Sequence, residues 1–176
     1  MYPRKNTAGL VRAFARARGA ADGLLLLGGN PKGDVYEQTA RAIADCGVGD
    51  RVRFLGYVEH DDVPALYAAA RLSVFPSLYE GFGLPVVEAM ACGTPIATSQ
   101  VSSMPEICSD AAEYFDPESV DSMAAAIERA WSDEARRHEL RARGLERAKL
   151  FRWERTARET LAFYGDVARL EPIHTL

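Results

Sequence analysis

Short apolar runs alternate with amphipathic stretches along the whole chain, and that alternation constrains the fold more than any other feature. The pattern is that of a parallel sheet covered by helices. Thr7 to Arg18 reads as a helix, with Leu10, Phe14 and Ala17 at helical spacing, Val11 beside them and Gly19 as a stop. Gly23 to Leu27 reads as a fully buried strand ended by Gly28-Gly29-Asn30-Pro31. Asp34 to Asp45 is the next helix, with Asp34 as its cap and Gly47 beyond its end. Arg51 to Leu55 is a short strand closed by Gly56. Asp61 to Ala70 is a helix with Pro64 in its first turn, where the missing N–H costs nothing. Strands at Leu72 to Phe75 and Pro95 to Thr98 flank a helix from Leu84 to Ala91 that has Pro85 near its start and Gly93 after it. One helical turn at Met104 to Cys108 and a strand at Glu113 to Phe115 follow, then helices over 119–131, 133–149 and 154–168.

The chain has 176 residues, enough for one domain with its own core, here expected at about 3–150 with a helical tail over 151–170. A net charge of -4 argues against a nucleic-acid partner. Cys46, Cys92 and Cys108 lack ligand spacing, and His60, His138 and His174 are scattered, so neither a disulfide scaffold nor a metal site is expected. Cys46 and Cys92 each precede a glycine at a helix end and read as buried free thiols. No apolar run approaches the ~20 residues that span a bilayer, and no secretory signal follows Arg4 and Lys5. These features lead to the expectation of a cytoplasmic protein, peripheral to the membrane in a full-length form. The 133–158 stretch carries Arg136, Arg137, Arg141, Arg143, Arg147, Arg152, Arg155 and Arg158 among Glu134, Glu139, Glu146 and Glu154, which reads as a solvated helical surface laced with ion pairs.

The chemistry concentrates between Leu72 and Pro105. That stretch holds only two charged residues, Glu80 and Glu88, where the overall charge density of 26% would place about nine. A carboxylate in so apolar a region needs a partner. The strand ending at Phe75 runs through Glu80-Gly81-Phe82-Gly83 into the helix that begins at Leu84. In open parallel sheets, ligands bind beyond the carboxyl ends of the strands. Glycines let backbone approach a ligand, and a new helix offers unpaired N–H groups and a positive dipole end. Glu80, just before the turn, suits sugar hydroxyls; Glu88, one turn inside and pointing back to the same mouth, suits the paired hydroxyls of a ribose. Taken singly, Glu80 reads equally as an exposed loop acid and Glu88 as a solvent-facing helix residue. Their spacing around a glycine turn is what makes them specific.

The string Glu80-Gly81-Phe82-Gly83-Leu84-Pro85-Val86-Val87-Glu88-Ala89-Met90-Ala91-Cys92-Gly93-Thr94-Pro95 resembles the E-x7-E motif of retaining GT-B glycosyltransferases of the group 1 family. Pro3-Arg4-Lys5-Asn6 is similar to that family's phosphate-binding turn, and Arg53 to Val58 to its base-binding strand and loop. Leu66 to Ala70, Ser103 to Ile107 and Trp153 resemble the neighbouring family positions, so the resemblance covers Pro3 to about Leu170. It implies a Rossmann-like α/β fold, a parallel sheet flanked by helices, as the C-terminal donor-binding half of a GT-B enzyme. It implies transfer of a hexose-type sugar from a nucleoside diphosphate sugar with retention, and no metal or cofactor. Lys5 and Arg4 would contact the diphosphate, Gly28 and Gly29 would line the nucleotide pocket, and Gly56, Tyr57 and Val58 would frame the base. Tyr57 would either stack or pack. Glu80 would hold the transferred sugar, the loop at Gly81 and the amides of Phe82, Gly83 and Leu84 would receive sugar and phosphate oxygens, and Glu88 would bind ribose.

The resemblance is incomplete. The family's acceptor-binding N-terminal domain has no room in 176 residues, and the chain opens at Met1-Tyr2 where a central strand of the sheet would precede the phosphate turn. Such a loss would leave neighbouring apolar strands uncovered. The basic residue common just upstream of the turn is absent, and Arg152 stands where a capping serine is common. The terminal helix is expected to show an unpaired apolar face at Trp153, Ala157, Leu161 and Tyr164. The expectation is a donor-binding unit with little turnover alone. The alternatives are a non-catalytic nucleotide-sugar-binding module or subunit and a sugar-nucleotide 2-epimerase, which shares the fold without this E-x7-E context. A dinucleotide dehydrogenase is disfavoured, since no G-x-G-x-x-G follows a strand.

Overall fold

The computed structural model describes residues 2–30 and 32–169; the readings that fall on Met1, Pro31, the helix end at 170 and His174 lie outside them. Five strands and eight α-helices alternate in the expected order: α1 Thr7–Arg16, β1 Leu25–Gly28, α2 Asp34–Cys46, β2 Val52–Gly56, α3 Val63–Ala69, β3 Ser73–Phe75, α4 Leu84–Ala91, β4 Ile96–Ser99, α5 Met104–Cys108, β5 Ala112–Phe115, α6 Val120–Ser132, α7 Glu134–Ala148 and α8 Trp153–Arg169. All strand pairs are parallel. Leu25 pairs with Val52 in β1–β2, Val74 with Ala97 in β3–β4, and Ala97 with Glu113 in β4–β5.

The sheet is divided. β1 and β2 form one ribbon and β3-β4-β5 another, so β1 and β3 each carry a ladder on one edge only among the described residues. A single apolar layer nevertheless unites them: Leu10, Val11 and Phe14 of α1 and Met123 and Ile127 of α6 pack with Leu27, Val52, Ala97 and Phe115. A second layer, Val86, Ala89 and Met90 of α4, Met104 and Ile107 of α5 and Ala148 of α7, covers the other face of the three-stranded ribbon through Ile96 and Ala112. β4 is therefore buried along its whole length.

That asymmetry corrects the reading of Gly23 to Leu27 as a fully buried strand. Leu27 is 5% exposed, but Leu24 is 53% and Leu26 44% exposed, because helices cover only one face of the β1–β2 ribbon. The continuous-apolar signature of a doubly covered strand is satisfied at β4 and not at β1. Two smaller corrections concern capping and thiols. The N-cap of α2 is Gly33 at φ 78°, with Asp34 in the first turn beside the helix dipole. Cys46 and Cys92 are half-buried and only Cys108 is buried.

The arginine-rich stretch is not simply solvated. Arg155–Glu159 is the expected i,i+4 surface pair, at 2.7 Å. Arg136, in contrast, binds the nearly buried Glu113 of β5 at 2.6 Å, joined by Arg129 of α6 at 3.3 Å. Arg147 donates to the carbonyl oxygen of Ile107 at 2.9 Å, which tethers α7 to the end of α5. α8 buries no residue. Trp153, Leu161 and Tyr164 are 75%, 69% and 63% exposed, so the apolar face expected there is present and uncovered. No helix among the described residues is long and apolar enough to cross a membrane.

Candidate functional site

Each parallel ribbon presents a glycine-containing corner at its carboxyl end. At the β3–α4 corner, Gly83 caps α4 in the left-handed region, at φ 105°. That backbone conformation favours glycine, and a Cβ there would lie 2.4 Å from Met104 Cε, so the end of the Met104 side chain would have to move aside. Pro85 occupies the first turn of α4, where its lack of an N–H is harmless.

The basic turn meets this corner from the start of the chain. Pro3–Lys5 forms one 3-10 turn, closed by Asn6 at φ 48°, whose N–H returns to the Pro3 carbonyl. The Leu78 N–H donates to the Arg4 carbonyl at 2.7 Å, which stitches the turn to the loop after β3. Asn6 Nδ2 donates to the Pro117 carbonyl at 2.8 Å, and its amide fills the space over Gly9. Arg4 and Lys5 thereby converge on Glu80. Arg4 Nη1 lies 2.6 Å from Glu80 Oε2, while the Lys5 ammonium binds Oε1. Ser77 Oγ, itself buried, donates to Oε1 at 2.8 Å. The Glu80 side chain is only 11% exposed, which removes the reading of it as a loop acid in solvent. Burial by itself would raise the pKa of this carboxyl; donation from Lys5, Ser77 and Arg4 outweighs burial and holds it below the ordinary value.

Two serines to which the sequence assigned no site role fix the loop. Ser102 Oγ accepts the Glu80 N–H at 3.0 Å. Ser103 Oγ bonds the carbonyls of Glu80 and Phe82 at 3.0 and 2.8 Å. Ser77 too was missed: a hydroxyl two residues past an apolar strand carries no distinguishing signal, and Ser102-Ser103 reads only as a turn. A hollow of about 10 Å³, room for roughly one water, lies among Lys5, Phe75, Ser77, Glu80, Gly83, Pro85, Val86 and Met104. Phe82 is 45% exposed beside it, edge-on to Phe151 at 5.8 Å between ring centroids. Leu84 and Gly81 are exposed as well.

Glu88 does not line that hollow. It is exposed on α4 and acts electrostatically on Tyr67 of α3, whose phenol is pushed up to about 12 by burial first and then by Glu88 and Cys92. Glu80 thus lies in the loop that leads into α4 and Glu88 on α4 itself, and only Glu80 lines the hollow.

The second corner joins β1 to β2. Gly28 is paired with Gly56 across a register irregularity, and the Gly29 N–H donates to the Gly56 carbonyl at 2.8 Å. Gly29 and Gly56 both have positive φ, 119° and 72°. A Cβ at any of the three would meet nothing within 4 Å among the described residues; Gly28 is exposed, and Gly29 and Gly56 are half-buried. Tyr57 is 77% exposed, which rules out its packing role and leaves a ring free to stack; Val58 is half-buried beside it.

Parallel strands flanked by helices, with loops and a cationic turn gathered at their carboxyl ends, define the class: a Rossmann-like α/β unit. The chain belongs to the glycosyl transferases group 1 family, whose model matches residues 1–147. It is 42% identical to the O-antigen chain mannosyltransferase B of Escherichia coli over an alignment of 173 positions that covers 93% of this chain and 43% of that protein. Among solved structures it resembles a sucrose-phosphate synthase from Thermosynechococcus elongatus, with a TM-score of 0.81 and 33% identity over 94% of this chain and 43% of the other. It also resembles Anabaena HepE, solved in complex with UDP and glucose, with a TM-score of 0.83 and 23% identity over 95% and 46% of the two chains. The chain therefore spans less than half the length of these relatives.

Proposed function

We propose that this chain is the donor-binding side of a retaining glycosyltransferase that takes a hexose from a nucleoside diphosphate sugar. The observation that carries this reading is the convergence of Arg4 and Lys5 on Glu80 at the entrance to α4. Two cations beside the N–H groups of a helix start suit a diphosphate, and they would stabilise its charge as the anomeric C–O bond breaks. The new bond forms to an acceptor hydroxyl oxygen, whose proton passes to the departing diphosphate. In this reading Arg4 and Lys5 hold the diphosphate, and Glu80 and the amides of Phe82, Gly83 and Leu84 hold sugar and phosphate oxygens. Glu88 binds ribose, and Gly28, Gly29, Gly56, Tyr57 and Val58 frame the nucleoside. The open space beside Gly28, Gly29 and Gly56 at the β1–β2 corner supports that last assignment.

The name of the mannosyltransferase relative favours mannose as the hexose. No metal or cofactor is needed in this scheme, and a cytoplasmic, membrane-peripheral site belongs to it. The acceptor would be bound by a region outside these 176 residues, in keeping with relatives more than twice as long; by itself the chain would bind donor with little turnover. A thermal-shift series with UDP-, GDP- and ADP-sugars tests the reading, one of them being expected to raise the melting temperature. Calorimetry then compares the chain with Glu88→Ala. Weaker binding in the variant supports the ribose role, and equal heats remove Glu88 from the site. Failure of every nucleotide sugar to stabilise the chain would overturn the proposal.

A further inference from the structure

We infer that Glu80 is an internal competitor for the diphosphate: it neutralises Arg4 and Lys5 itself, and a donor binds by taking those two cations and leaving Glu80 to the sugar hydroxyls. This rests on the nucleotide-sugar reading of the site and adds to it a reason why a whole donor would be preferred over a bare nucleoside diphosphate. Each oxygen of Glu80 is committed to one cation, Oε2 to Arg4 and Oε1 to Lys5. Arg4 and Lys5 each keep further N–H donors beside the one given to Glu80, but a carboxylate left between them offsets their charge and would face the diphosphate as a like charge. The carboxylate and the diphosphate therefore compete for the positive charge of one pair of cations.

The loop is built so that the carboxylate can change partners without the backbone moving. Ser102 and Ser103 hold the Glu80 main chain at its N–H and carbonyl. Ser77 supplies a neutral hydroxyl to Oε1 that asks nothing of the cations. Once the cations turn to phosphate, the nearly buried carboxylate has lost two charged donors and keeps one neutral donor, a costly state unless something replaces them. Sugar hydroxyls of an intact donor can do so. A nucleoside diphosphate has none at that position, so its binding leaves Glu80 under-satisfied. The same asymmetry aids release of the product: when the sugar departs, Glu80 reclaims Arg4 and Lys5 and displaces the diphosphate.

The test measures nucleoside diphosphate and nucleotide-sugar affinity, in the same base series, for the chain and for Glu80→Gln. Glutamine keeps the shape and removes the competing charge. The expected result is that Glu80→Gln binds the bare diphosphate about tenfold more tightly, with a steeper salt dependence because two uncompensated cations now face it, while the preference for the nucleotide sugar over the diphosphate shrinks. If the chain binds the diphosphate and the variant binds it equally or more weakly, the competition is overturned while the donor-site reading stands. If neither protein binds any nucleoside diphosphate or nucleotide sugar, both fall. A readout on the unaltered chain guards against a misfolded variant. Carboxyl-carbon NMR should show Glu80 titrating at higher pH when the diphosphate is bound than without it, and an unchanged titration contradicts the exchange.

Discussion

Lys5 and Glu80 stand 75 positions apart in the chain and form an ion pair at the mouth of the β3–α4 corner. The contact ties the first turn of the chain to the loop that opens α4. Arg4 doubles it on the other carboxylate oxygen, and Ser77 braces it from below. A pair held this way combines structure and chemistry: it closes the corner and concentrates positive charge where a helix begins.

The pair makes stability pH-dependent in a direction that can be worked out. Glu80 sits below its ordinary value of 4.5 in the folded chain and returns to the ordinary range when unfolded. Between those two values the unfolded chain binds more protons, so stability rises with pH. The contribution is complete above about 4.5 and is lost as pH falls through the folded value. Acid unfolding followed by circular dichroism should therefore be less steep in that window for Glu80→Gln than for the parent chain.

Gly83 enters α4 in a backbone conformation that L side chains rarely adopt. Alanine would have to hold φ near 105° with its methyl pressed on Met104 Cε. Gly83→Ala should cost about 1–3 kcal/mol in urea unfolding. An unchanged midpoint would mean that the corner has a second conformation.

Burial along β1 predicts a contrast between neighbours. Leu27→Ala removes a core side chain and should cost about 2–5 kcal/mol, whereas Leu26→Ser, on the uncovered face, should change stability by less than about 0.5 kcal/mol. Both are read from denaturant midpoints of the 176-residue chain.

The cysteines should separate by reactivity. Burial pushes the Cys108 thiol up to about 12, against a smaller opposing effect of Arg147, while Cys46 and Cys92 are half-buried. Iodoacetamide at neutral pH should label Cys46 and Cys92 in the native chain and reach Cys108 only on unfolding, since the thiolate is the nucleophile. Mass spectrometry of tryptic peptides reports the order.

How legible this was from sequence varied with the physics behind each element. The helix Leu84–Ala91 was read to the residue, because Pro85 and Gly93 punctuate it from both ends. The order of strands and helices followed from hydrophobic period together with the glycine and proline punctuation. The exposure of Leu24 and Leu26 was not legible, because burial depends on which faces the helices cover, and a run of leucines looks the same in either case. Arg136 and Arg147 read as surface charges because only the tertiary fold brings Glu113 and the Ile107 carbonyl beneath them. The resemblance to a family marked Lys5 and Glu80 as site residues, yet nothing in their spacing signalled that they bind each other, nor that Ser77 and Ser102 hold the loop in place.

The central claim is that the corner where the basic turn meets α4 takes a nucleoside diphosphate, and titration calorimetry of the chain against Lys5→Ala tests it most directly. The account predicts that the variant, still folded by circular dichroism, binds the diphosphate at least about tenfold more weakly, the loss of one charged hydrogen-bonding group. Equal affinity in the two proteins would place the diphosphate elsewhere and contradict the account.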